Sequence, residues 1–177
     1  MFKISMTIAA LLISVSTVSA TELRQIKVFD GLAANCTSSA DLNYRMYRLN
    51  SQLVSSEVVQ FTLESLVCVK TSQGQALVPV ALAQSEVFNN KGSQLVYAYS
   101  NPVLQITNTE GTREFLKIPL DGSLETQTVQ MNLKDVASKT ATKKFDVSVQ
   151  LFKVVTVNGQ FVDERTVVSG SYRIFVK

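Results

Sequence analysis

The chain has 177 residues, 46% hydrophobic and 18% charged, with two cysteines and neither histidine nor tryptophan. Without an imidazole there is no Ser-His-Asp or Cys-His nucleophile, no histidine-ligated metal and no side chain that ordinarily titrates near neutrality. The formal charge of +3 is scattered, with Lys143-Lys144 as the sole adjacent basic pair, which argues against a nucleic-acid partner.

The first segment reads as an address. Met1-Phe2-Lys3 supplies a short positive region, Ile4 to Ile13 is almost wholly apolar, and Val18-Ser19-Ala20 places small and branched residues at a cleavage site. A membrane anchor would need about 20 predominantly apolar residues, and Ser14, Ser16, Thr17 and Ser19 dilute this stretch. The expected organisation is a secretory signal peptide over 1–20 and a single domain over 21–177, with no membrane span left after cleavage.

Export changes the reading of Cys36 and Cys68. An even cysteine count in an oxidising compartment points to a disulfide, and no Cys-x-x-Cys or ligand cluster suggests redox or metal chemistry instead. Closing the loop between them is worth about 3–4 kcal/mol of chain entropy. Asn35-Cys36-Thr37 also matches a glycosylation sequon, which a bridged Cys36 would make a poor acceptor.

From Glu22 onward the pattern is that of strands. Ile26 and Val28 alternate with Gln25 and Lys27, and Val59, Phe61 and Leu63 alternate with Gln60, Thr62 and Glu64 in a run that continues to Cys68. Parity changes near Ser65, which predicts either a bulge or cover on both faces. Thr71-Ser72-Gln73-Gly74 turns into a strand over Ala76 to Leu82, where Pro79 demands an edge position. Asn89-Asn90-Lys91-Gly92 leads to strands over Leu95 to Ser100 and Val103 to Thr107; Asn108 to Gly111 precedes Phe115 to Leu120, and Asp121-Gly122 precedes Thr126 to Leu133. Asn158-Gly159 between long alternating runs is the strongest hairpin signal. Taken as a two-residue turn, it sets Phe145 opposite Tyr172, Leu151 opposite Thr166, Val149 opposite Val168 and Lys153 opposite Glu164.

One stretch departs from this rhythm. Leu42, Met46, Leu49 and Leu53 recur at helical spacing behind Ser39 or Asp41 as a cap, which predicts a short helix over 41–53. The whole reads as an all-β, two-sheet antiparallel β-sandwich of immunoglobulin-like or related topology, with a lipocalin-like barrel and an outer-membrane barrel as competing architectures.

Chemistry is sparse. No phosphate loop, nucleophile elbow or metal-ligand spacing occurs, the carboxylates show no pairing of the kind a glycosidase needs, and no catalytic residue, metal or cofactor is expected. The aromatic residues carry the one functional hint. Tyr97 and Tyr99 share a strand face, and Tyr44 and Tyr47 interleave with Arg45 and Arg48, a polar-aromatic combination enriched at interfaces. The expected role is an exported, non-catalytic binding or structural accessory module with a protein or surface partner. A lipocalin-like small-ligand carrier and a carboxylate-dependent hydrolase are the alternatives.

Overall fold

A computed structural model describes residues 21–27, 36, 45–139 and 143–176. In chain order the strands are β1 (Glu22–Lys27), β2 (Arg45–Leu53), β3 (Val58–Thr71), β4 (Gly74–Pro79), β5 (Glu86–Asn90), β6 (Ser93–Tyr99), β7 (Val103–Thr107), β8 (Glu114–Pro119), β9 (Thr126–Asn132), β10 (Lys144–Val157) and β11 (Gln160–Phe175), with helix α1 (Leu133–Ala137) after β9. The expected signal peptide over 1–20 lies outside the described residues.

Among the described residues the strands divide into two separate antiparallel sheets and do not close into one barrel. Each sheet is organised by one long strand that serves two shorter strands laid end to end along its edge. In the first sheet β10 pairs with β11 on one side, and on the other with β7 near its start and β6 near its end; β1, β8 and β5 extend the sheet beyond them. In the second, β3 pairs with β2 along one edge and with β9 and then β4 along the other. Among the described residues β4 has no further neighbour, so Pro79 sits on an edge strand as its missing N–H requires.

The core lies between the sheets. Phe145, Val147, Val149 and Leu151 alternate inward from β10, Leu104 and Ile106 from β7, and they meet Val59, Phe61 and Leu63 from β3 and Leu49 from β2. Tyr172 of β11 crosses the interface and donates its hydroxyl to the Leu49 carbonyl at 2.9 Å. Leu82 and Leu120 enter from loops and Leu133 and Val136 from α1, which closes one end of the core; the Asn132 side chain caps this helix by accepting from the Lys134 N–H.

Two loops are locked together at that core. The Ala83 N–H donates to the Gly122 carbonyl and the Leu82 N–H to the Leu124 carbonyl, both at 2.8 Å, and a methyl group at Gly122 would overlap the side chains of Asn101 and Ala83. Gly122→Ala is therefore expected to destabilise the fold by about 1–3 kcal/mol through overpacking. Thermal or denaturant unfolding checks this; a loss below about 0.5 kcal/mol would show that the loops yield.

The helix expected over 41–53 does not form: Arg45–Leu53 is strand β2, paired residue for residue with β3 from Arg45 against Val67 to Leu53 against Val59. Both faces of β2 are covered at its start, and this is what imitates a helical stripe. Leu49 and Tyr47 enter the main core, whereas Met46 packs on the opposite face with Leu66 and Leu77. Double cover also explains the parity change of β3, for no register shift interrupts its pairing with β2. Beyond Ser65 the outward residues Leu66 and Cys68 are buried too, and Cys68 is bridged to Cys36 with 5.5 Å between their Cα atoms. A disulfide is the kind of bond that persists in an oxidising environment.

The terminal hairpin turns at Asn158-Gly159 with both residues at positive φ, 50° and 78°. Its expected register holds for Val157 with Gln160 and Thr156 with Phe161, then slips at two bulges. Leu151 faces Val167 in place of Thr166, Lys153 faces Arg165 in place of Glu164, Val149 faces Ser169 in place of Val168, and Phe145 faces Ile174 in place of Tyr172. The unpaired extra residues are Val162 and Gly170, and bulges of this kind add local twist.

Candidate functional site

Past Leu151 the first sheet runs on beyond the filled core as a four-stranded flap made of β5, β6 and the 152–167 part of the β10–β11 hairpin. Asn158 ties the turn to β6, accepting from the Gln94 N–H on its side chain at 2.7 Å and donating its own N–H to the Gln94 carbonyl at 2.8 Å. Strand pairing then dictates which side chains share each face.

On the outer face Val87, Val96, Thr156 and Phe161 form one cross-strand row, with Ala98, Val154 and Glu164 in the next and Phe152 beside Thr166 beyond. Phe161 is 65% exposed, Val162 56%, Val87 54% and Phe152 47%, so the flap holds four of the eight exposed large hydrophobic side chains among the described residues. Glu164, opposite Val154, and Thr166, opposite Phe152, make the β11 margin of this otherwise largely apolar face polar.

The inner face is closed at its base by a cation–aromatic cluster. Arg45 from the start of β2 donates from Nε to Glu86 Oε1 at 2.8 Å, and its side chain is only 3% exposed against 13% for Glu86. Its Nη1 donates to Tyr47 Oη at 3.2 Å and to the Ala81 and Leu82 carbonyls at 3.4 Å, while the guanidinium lies 4.5 Å from the Tyr99 ring centroid. Tyr99 donates its hydroxyl to Glu86 Oε2 at 3.2 Å, and Tyr47 donates to the Leu82 carbonyl at 2.9 Å. Burial pushes both phenols upward from their ordinary value; the Arg45 charge opposes this at Tyr47, and the Glu86 charge reinforces it at Tyr99. Arg45 Nη2 and Ser65 Oγ are buried without a hydrogen-bond partner among the described residues.

Toward the tip, Phe88, Leu95, Tyr97 and Val157 surround a half-open hollow of about 560 Å³. The Tyr97 ring is held edge-on by Phe88, with centroids 5.3 Å apart, and carries the Lys153 ammonium 3.6 Å from its own centroid. Burial draws the Lys153 pKa below its ordinary value, partly offset by the Glu86 charge.

Of the residues singled out by sequence, Arg45, Tyr47, Tyr97 and Tyr99 converge at this flap, with Arg45 and Tyr47 enclosed at its base. Arg48 points to the opposite face of the second sheet, where it lies 3.6 Å from Glu64, because neighbours three apart on a strand diverge. Tyr44 lies outside the described residues. Sequence reasoning missed Glu86, Phe88 and Lys153. The alternation of Glu86 and Phe88 around Val87, directly ahead of the Asn89–Gly92 turn, is a strand signal that would have brought β5 to light. No group of three or more metal-ligating side chains converges among the described residues. Comparison with known protein families, with curated proteins and with solved structures finds no match.

Proposed function

We propose that this protein is an exported binding or structural accessory module of the periplasm or cell surface, delivered by residues 1–20 acting as a signal peptide, and that it works by contact and not by catalysis. The observation that carries the reading is the outer face of the flap, where Val87, Phe152 and Phe161 are exposed on a sheet that continues past its own core. Retaining that much apolar surface in water is unfavourable at about 25 cal/mol per Å², a cost that docking of a partner removes. The Cys36–Cys68 disulfide supports the same compartment, since such a bond persists outside reducing cytosol. The buried Arg45–Glu86 pair beneath the flap anchors its base, which leaves the outer face presented on a fixed support.

The test is the paired variant Phe152→Ser/Phe161→Ser. Phe161 is mostly in solvent and Phe152 about half buried, so the pair should cost about 1–2 kcal/mol and leave the protein folded. Chemical cross-linking in the native envelope should yield a defined complex with the unaltered chain and lose it with the variant. Recovery of the same complex in the same amount from the variant would overturn the reading.

A further inference from the structure

The hollow on the inner side of the flap has a chemistry of its own, separate from the outer face. Its floor is apolar and aromatic, built by Phe88, Leu95, Tyr97 and Val157, and its rim is polar, with Asn90, Lys91 and Ser93 at the β5–β6 turn. Its volume of about 560 Å³ falls in the range of small-molecule sites, which combine an apolar lining with a few placed polar groups.

The charges around it are unbalanced in one direction. Lys91 lines the rim and Lys153 sits over Tyr97, and neither has a carboxylate within ion-pair distance among the described residues. The acids on this side of the flap are engaged elsewhere: Glu86 is held by Arg45, and Asp163 by Arg165. The Lys91 ammonium at the rim of an aromatic floor, with the Lys153 charge on Tyr97 nearby, complements an apolar molecule that ends in a negative charge.

We propose that the hollow under the flap binds a small amphiphilic anion, its apolar body lying on Phe88, Leu95, Tyr97 and Val157 and its carboxylate-like head held by Lys91 at the rim. Lys153 adds positive potential from behind Tyr97 and keeps that ring in place as part of the floor. The site is independent of the partner-docking face, which is formed by the opposite side of the same strands.

The experiment titrates the disulfide-intact chain by calorimetry with three probes of equal chain length, kept below micelle formation: decanoate, decanol and decyltrimethylammonium. Decanoate should bind at one site per chain and at least about tenfold more tightly than decyltrimethylammonium, the discrimination expected of a charge-assisted contact. Lys91→Asn, chosen because asparagine tolerates the positive φ of 46° at this position, should weaken decanoate about fivefold and leave decanol unchanged. Phe152→Ser/Phe161→Ser should leave all three affinities unaltered. Absence of decanoate binding, equal affinity for the anionic and cationic probes, or insensitivity to Lys91→Asn would each overturn the proposal. Loss of decanoate binding in the outer-face variant would overturn it too, by moving the site to the other side of the flap. Because the three-probe comparison uses the unaltered chain, a folding defect in any variant does not blunt it.

Discussion

Glu86→Ala is expected to lower the stability of the protein by about 3–5 kcal/mol, the range for removing one partner of a buried ion pair. The cause is what remains behind: an Arg45 guanidinium 3% exposed, stripped of its carboxylate and already carrying one orphaned nitrogen. The same change also takes the acceptor from the half-buried Tyr99 hydroxyl. Arg45→Met/Glu86→Leu should recover most of the loss, since an apolar replacement of the pair leaves no charge to desolvate. Guanidinium denaturation of the three proteins provides the measurement. A single-variant loss below about 1 kcal/mol would show that water or a shifted backbone group reaches Arg45.

The second large effect belongs to the disulfide. Cys36→Ala/Cys68→Ala is expected to cost about 3–4 kcal/mol, the chain-entropy value for cross-linking residues 32 positions apart. That is a substantial share of the 5–15 kcal/mol of about a typical domain. Unfolding midpoints with and without a reductant should differ by the same amount as those of the two chains. Agreement to within about 1 kcal/mol between oxidised and reduced protein would instead show that the bridge is dispensable. The two effects should not add. Arg45 pairs directly with Val67, the neighbour of Cys68, so both changes loosen the same end of the second sheet.

What was legible in the sequence follows from how many faces of a strand are buried. Where one face meets the core and the other meets water, as in β10 with Phe145 to Leu151 inward, period-two alternation reads correctly. Where a strand is covered on both sides the period is lost. β2 sends Leu49 to the main core and Met46 to the cluster with Leu66 and Leu77, and the union of the two sets resembles a helix face. Leu53, the last member of that imagined stripe, is 41% exposed.

The hairpin teaches a different limit. Its turn announces itself through Asn158-Gly159, but a bulge residue such as Val162 has no chemical signature, so counting outward from the turn fails two residues later. The cluster at the base of the flap was half visible, as tyrosines and arginines in an unusual concentration. Its organising acid was not, because Glu86 meets Arg45 across 41 positions of sequence and is indistinguishable by composition from the solvated carboxylates.

The flap is not suspended from the domain by loops; β10 runs from Lys144 to Val157 without a glycine or proline, so the strand that fills the core and the strand that carries the exposed face are one rod. No glycine or proline of β10 falls at the point where core gives way to solvent, between Leu151 and Phe152. For the proposed binding role, such a support makes recognition close to lock-and-key. The entropy of ordering the backbone is spent once, when the sandwich folds, and is not charged again at each encounter.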